Sequence, residues 1–148
     1  MGARRLLLDA VDMLTGFMLM STFVVAYHEY VHAIVARAVG CDAYVVYFFL
    51  GGYTYVSNIS NVLQAIAIGL SGGLACFAVF LYFFKWWLED PSDRNLRPPC
   101  VYWMANQLAY GSLEPLAVFA VIPFEIALMM GALIGLAAML GYMFRHWS

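Results

Sequence analysis

The sequence predicts an all-α membrane protein with four transmembrane helices and a short β-hairpin between the first and the second. Of the 148 residues, 65% are hydrophobic and only 11% are charged, whereas charged residues make up about a quarter of a soluble domain. Four apolar stretches each approach or exceed the roughly 20 residues that a helix needs to cross a bilayer. A β-branched and aromatic segment follows the first stretch and predicts the hairpin.

The length and the charge of the chain bound its organisation and its partners. One small domain over residues 1–148 accounts for the length, and a net charge of −2 is too small to indicate a nucleic-acid partner. The three cysteines are odd in number and form no C-x-x-C pair, so they predict buried apolar side chains and not a cysteine metal site. The expected surroundings are the lipid bilayer, and a homo-oligomer or a regulatory membrane partner stays open.

The first predicted span covers residues 14–39, and the predicted hairpin follows it. Residues 44–50 and 53–56 are rich in β-branched and aromatic side chains, and Gly51 and Gly52 between them are expected to form the turn. An open sheet edge in lipid would leave backbone groups unpaired. The hairpin should therefore pack on the helices or lie at the membrane interface.

Three further spans are predicted over residues 62–87, 100–122 and 124–144. The first of these contains several glycines, which let helices approach one another closely. Four spans place both termini on one side of the membrane, and every Lys and Arg except Arg37 falls on that side. The positive-inside rule therefore predicts that both termini are cytoplasmic.

The most informative motif is His28-Glu29-Tyr30-Val31-His32, an H-E-x-x-H sequence inside the first span. Residues four apart lie on one face of a helix, so His28 and His32 can bind a single metal ion. Glu29 is placed to take a proton from an attacking water, as hydrolytic zinc chemistry requires. Ionisable groups inside a span cost about 2.5 to 3.5 kcal/mol each, so they usually mark a functional site. The motif predicts a catalytic zinc site within the membrane.

A catalytic zinc usually has three protein ligands, so the two histidines need one more donor. With both termini on one side, the first and third spans run parallel, and His28 and Glu114 each lie roughly 21 Å along their span. Glu125 lies near a span end, and His146 is expected on the opposite side of the membrane. Glu114 is therefore the predicted third ligand.

Three segments share patterns with one known family. Residues 28–40 read H-E-Y-V-H-A-I-V-A-R-A-V-G, residues 71–76 read S-G-G-L-A-C, and residues 106–115 read N-Q-L-A-Y-G-S-L-E-P. In these segments the sequence resembles the site-2 protease family, whose motifs H-E-x-x-H-A-x-x-A-R-x-x-G, A-G-P-L-A-N and N-x-x-P-x-P-x-L-D-G occur in the same order. Glu114 stands in place of the family's aspartate, and both prolines of the third motif are absent.

The resemblance implies an intramembrane zinc endopeptidase that hydrolyses a peptide bond in or near a transmembrane segment of a substrate protein. Zinc would be held by His28, His32 and Glu114, and Glu29 would act as the general base. Asn106, in the position of the family's asparagine, would hydrogen-bond the substrate backbone or the developing oxyanion. The hairpin edge would bind an extended substrate segment by strand addition.

Several other interpretations remain open at this stage. The same fold could be a catalytically inactive metal-binding scaffold or regulatory subunit, or a small transporter component that uses Glu29 and Glu114 as ion-pathway groups. The motif could also be a hydrogen-bonded polar network between helices, or its histidines could bind haem. Glu114 and Asn106 could each serve only as interhelical hydrogen-bonding residues.

Overall fold

A computed structural model of the protein describes residues 3–48 and 51–146 and contains four long helices and one two-stranded antiparallel sheet. The elements are α1 (Ala3–Ala38), β1 (Asp42–Phe48), β2 (Gly51–Ser57), α2 (Val62–Glu89), α3 (Arg97–Val118) and α4 (Phe124–His146), with a 3₁₀ helix over Pro91–Leu96 before α3. The predicted element order, four helices with a hairpin after the first, is confirmed. The first helix begins earlier than the predicted span, because residues 3–13 continue α1.

The predicted turn at Gly51 and Gly52 is wrong. Both glycines lie within β2 and pair with residues of β1, and the connection falls on residues 49–50, which lie outside the described residues. Crowding by β1 and α1 gives a physical reason for a glycine at position 52. A Cβ atom there would lie 3.0 Å from Cδ1 of Tyr47, 3.2 Å from the carbonyl oxygen of Val46 and 3.3 Å from Cγ of Glu29, all tighter than most real contacts.

The hairpin packs along α1, as predicted for a sheet that must not expose its backbone to lipid. The guanidinium of Arg37 donates to the carbonyl of Ala43 at 2.7 Å, and the Tyr47 hydroxyl donates to the carbonyl of Ala26 at 3.0 Å. The sheet therefore runs from the C-terminal end of α1 back towards its middle. This course brings β2 beside the H-E-x-x-H motif.

Helix α2 runs antiparallel to both α1 and α3, so α1 and α3 are parallel, as the sequence predicted. In each pair of neighbouring helices, a residue later in the first helix contacts a residue earlier in the second. The residue pairs are His32 with Ile68 and Val24 with Cys76 between α1 and α2, and Gly73 with Gly111 and Phe80 with Cys100 between α2 and α3. Helix α4 packs against α3.

Two glycines allow α2 and α3 to cross with their backbones in contact. A Cβ atom built on Gly111 would lie 2.6 Å from the Cα atom of Gly73, a separation that no real side chain tolerates. Small residues at such crossings let helix backbones approach closely. The crossing holds the C-terminal half of α3 against α2, one turn from Glu114.

Three helices, α1, α2 and α4, are long and apolar enough to cross a membrane, by length and composition within the described residues. The sequence predicted four such spans, and α3 does not qualify although it has 22 residues. The low hydropathy of α3 comes from polar side chains, which are tolerated because of its position in the bundle. Helix α3 contacts the other three helices, and its buried side chains include Asn106, Gln107 and Glu114, so its polar groups face protein.

The glycine crossing generates a prediction about stability. Gly111→Ala should lower the free energy of unfolding by about 1 to 3 kcal/mol, because the added methyl group overpacks the contact with Gly73. Gly141→Ala is the matched control, since a Cβ atom at that helical position meets nothing within 4 Å. Thermal unfolding in detergent, followed by circular dichroism, checks both variants. Equal stability of the two variants would contradict the close crossing.

Candidate metal centre

The structure brings together the three predicted metal ligands, His28, His32 and Glu114. The side-chain Nε2 atoms of the two histidines lie 2.8 Å apart. Each Nε2 atom also lies 3.2 Å from one carboxylate oxygen of Glu114. All three residues are buried, and in the described part of the chain they form the one group of this kind that could hold a metal ion.

The far side of each imidazole ring has its own hydrogen-bond partner. Nδ1 of His28 lies 2.8 Å from the side-chain oxygen of Gln107, and Nδ1 of His32 lies 2.6 Å from the backbone carbonyl oxygen of Ile68. An amide or carbonyl oxygen only accepts, so both Nδ1 atoms must carry the proton. In the neutral imidazoles, both Nε2 lone pairs therefore point towards Glu114.

This arrangement places three hydrogen-bond acceptors around one point, with the negative charge of a carboxylate among them. Acceptors in van der Waals contact need a proton or a cation between them, and the cost of leaving them unpaired is large in an apolar interior. The ligand atoms of a tetrahedral zinc lie about 3.3 Å apart, close to the 2.8 to 3.2 Å found here. The donor set fits a divalent metal ion after small side-chain shifts.

Gly72 on α2 makes room for the two imidazole rings. A Cβ atom at this position would lie 2.5 Å from Nε2 of His32 and 2.9 Å from Cδ2 of His28. The sequence identified this glycine only as a small residue for helix packing. Its structural role is more specific, because any side chain here would occupy the space of the rings.

Glu29 lies beside the ligand group without belonging to it. Its side chain is half-buried, and the hydroxyl of Thr54 on β2 lies 2.8 Å from its carboxylate and 2.7 Å from its backbone carbonyl oxygen. A hydroxyl has one proton, so Thr54 donates to one of these oxygens at a time. The hairpin thereby holds the carboxylate of Glu29 next to the histidines.

Asn106 is buried in α3, and its side-chain oxygen accepts a hydrogen bond from the side-chain nitrogen Nε2 of Gln107 at 2.8 Å. The sequence predicted Asn106 but not Gln107 as a site residue. The spacing of Gln107 could have indicated it, because Gln107 precedes Glu114 by seven residues and residues two turns apart share a helix face. Thr54 had no such signal, since its contact depends on the register of the hairpin.

The two rejected candidates for the third ligand lie elsewhere. Glu125 is exposed in the first turn of α4, and His146 is exposed in the last turn of the same helix. Neither belongs to the ligand group. Glu114, and neither of these residues, lies with His28 and His32 in the group that could hold a metal ion.

A cavity of about 790 Å³ opens beside the ligand group. The three ligands, Glu29 and Asn106 form part of its wall. Residues of β2 and apolar residues of α4 form other parts, including Gly52, Thr54, Phe124, Leu128 and Ala132. The three ligands and the predicted base therefore face one shared cavity.

No protein-family model, curated protein or solved structure matches this chain. The resemblance to the site-2 protease family therefore remains an interpretation of the three sequence motifs. The geometry of His28, His32 and Glu114 in this chain indicates a possible metal site.

The ligand geometry generates a prediction about metal binding. Glu114→Ala should weaken the binding of a divalent metal ion at least about 100-fold, since even residues that only support a ligand change affinity by about 10- to 100-fold. Glu125→Ala is the matched control, because Glu125 is an exposed glutamate outside the group. Competition with a chromogenic chelator measures both affinities. Equal weakening by the two substitutions would refute the assignment of Glu114.

Proposed function

We propose that the protein is an intramembrane zinc metalloprotease that hydrolyses a peptide bond in or near a transmembrane segment of a substrate protein. The observation that carries the proposal is the convergence of two imidazole Nε2 atoms and the carboxylate of Glu114 on one point. Three apolar helices, each long enough to cross a bilayer, accompany this site. A buried metal site in such a molecule favours chemistry on a substrate that also lies in the membrane.

His28, His32 and Glu114 would hold the zinc ion, and three protein ligands are typical of a catalytic site. Bound zinc supplies Lewis acidity, which polarises a peptide carbonyl and makes a water molecule easier to deprotonate. Glu29 would take the proton from the attacking water and deliver it to the leaving amine nitrogen. The hydroxyl of Thr54, 2.8 Å from the Glu29 carboxylate, would hold this base in place.

The hairpin offers a place for the substrate backbone. Within residues 3–48 and 51–146 the sheet has two strands, so each strand has one edge without a strand partner in that part of the chain. Most hairpin residues that line the cavity belong to β2, including Gly52 and Thr54. A substrate helix hides its carbonyl groups in its own hydrogen bonds and must unwind before attack. An unwound segment that pairs with the edge of β2 would lie beside Glu29.

Asn106 would contact the substrate through its side-chain nitrogen. Its oxygen already accepts a hydrogen bond from Gln107 at 2.8 Å. The Nδ2 group is the donor of this side chain, and it would bind a substrate carbonyl or the oxygen that gains charge during attack. Asn106 lines the cavity together with the three ligands.

We also propose that α3 crosses the membrane as a fourth span, enclosed by the three apolar helices. Polar residues in a span are tolerated when they face the interior of the bundle. Helix α3 is parallel to α1 and contacts α1, α2 and α4, which supports this placement. With four spans, both termini would be cytoplasmic by the positive-inside rule.

The role of Glu29 generates a prediction about catalysis. Glu29→Gln should lower the rate of cleavage of a membrane-spanning reporter by about 10²- to 10⁴-fold, because general base catalysis contributes that much. Zinc content should stay unchanged, since Glu29 is not a ligand. Reporter cleavage in proteoliposomes and metal analysis of the same preparations measure both quantities.

Glu125→Gln is the matched control for this experiment and should cleave at the wild-type rate. Unchanged cleavage by Glu29→Gln would show that the base assignment is wrong. A wild-type protein that binds zinc but cuts no reporter would favour the inactive metal-binding scaffold over the protease.

A further inference from the structure

We propose that Gln107 is a positioning residue for the metal site: its side-chain oxygen fixes the ring of His28, and Asn106 fixes the side-chain amide of Gln107. This inference rests on the metal site of the proposed function. It adds two side chains of α3 that would control metal affinity without touching the metal ion.

The contact between Gln107 and His28 is buried and short. Gln107 is 4% exposed, and its Oε1 atom lies 2.8 Å from Nδ1 of His28. The corresponding atom of His32 is held by the backbone carbonyl of Ile68, which no substitution of a side chain removes. Of the two imidazoles, His28 is therefore the one whose far nitrogen is held by a side chain alone.

The orientation of the Gln107 amide matters, because its two ends have opposite hydrogen-bonding roles. The Nε2 atom of Gln107 donates to the side-chain oxygen of Asn106 at 2.8 Å. A flipped amide would direct its NH₂ group at the Nδ1 proton of His28 and its oxygen at the oxygen of Asn106. Both contacts would then be repulsive, so Asn106 selects the orientation in which Gln107 accepts from His28.

This chain of hydrogen bonds determines which nitrogen of His28 is free to bind a metal ion. An acceptor at Nδ1 keeps the proton there and leaves the lone pair on Nε2, and it also makes the imidazole a stronger ligand. Gln107 and Glu114 lie two turns apart on one face of α3. The same helix face therefore supplies one ligand and orients a second ligand that belongs to α1.

The test compares three glutamine variants by zinc affinity and by the visible spectrum of bound cobalt. Gln107→Met keeps a similar volume but loses the oxygen, and it should weaken zinc binding about 10- to 100-fold and shift the cobalt bands. Gln107→Glu keeps an acceptor for Nδ1, but its second oxygen would face the oxygen of Asn106, so it should weaken zinc binding less than Gln107→Met does. Gln64→Met is the matched control, because Gln64 bonds to Val39 and Ser60 and not to the ligands.

Wild-type affinity and an unchanged cobalt spectrum in Gln107→Met would overturn this inference while the metal site itself stands. Equal weakening in Gln107→Met and Gln107→Glu would also overturn it. A wild-type protein that binds no zinc would remove the proposed site and this inference together.

A second variant keeps the test decisive if Gln107→Met fails to fold, as judged by loss of a cooperative thermal transition. Asn106→Leu removes the acceptor that fixes the Gln107 amide but leaves Gln107 able to accept from His28. The zinc affinity of Asn106→Leu should fall by a measurable factor of less than about 10, and the cobalt spectrum should shift. Wild-type values for both quantities in a folded Asn106→Leu protein would refute the role of this hydrogen-bond chain.

Discussion

The convergence of two imidazole nitrogens and one carboxylate in an apolar interior is the constraint on which the rest of the structure depends. His28, His32 and Glu114 are each at most 7% exposed. The facing Nε2 and carboxylate oxygen atoms lie 2.8 to 3.2 Å apart, which leaves no room for a water molecule between them, so a proton or a cation is needed there. A bound metal ion would explain why such a costly group lies among apolar helices. Gly72 of α2 and Gln107 of α3 adjoin this group, and the hairpin bonds to Glu29 beside it.

Close packing of helix backbones makes the convergence possible. Two consecutive glycines let α2 pack closely against both α1 and α3. Gly72 leaves space for the imidazoles of α1, and Gly73 contacts the backbone of α3 at Gly111. A membrane interior provides little hydrophobic force between helices, so in a bilayer such contacts and interhelical hydrogen bonds would stabilise the bundle. Consecutive glycines in α2 therefore connect the stability of the bundle to the geometry of the site.

Periodicity and local spacing predicted much of the fold and of the site. The order of the elements, the parallel course of α1 and α3 and the meeting of His28 with Glu114 all followed from apolar stretch lengths and helix geometry. The hairpin turn was misplaced because two consecutive glycines are typical of a turn, whereas Gly51 and Gly52 lie in β2, where a side chain would crowd β1 and, at position 52, also Glu29 of α1. The contact of Thr54 with Glu29 depends on the register of the hairpin and on how it packs on α1, and neither can be predicted from neighbouring residues in the sequence. The low hydropathy of α3 reflects its enclosure by other helices, a property of tertiary structure.

X-ray absorption spectroscopy of the purified protein would show directly whether a metal ion lies between His28, His32 and Glu114, since it reports the element bound and the atoms around it. We expect about one zinc ion per chain, coordinated by two imidazole nitrogens and by oxygen, with the imidazole signal lost in the His28→Ala, His32→Ala double variant. A protein that retains no metal, or a zinc ion surrounded by sulfur, would contradict this expectation.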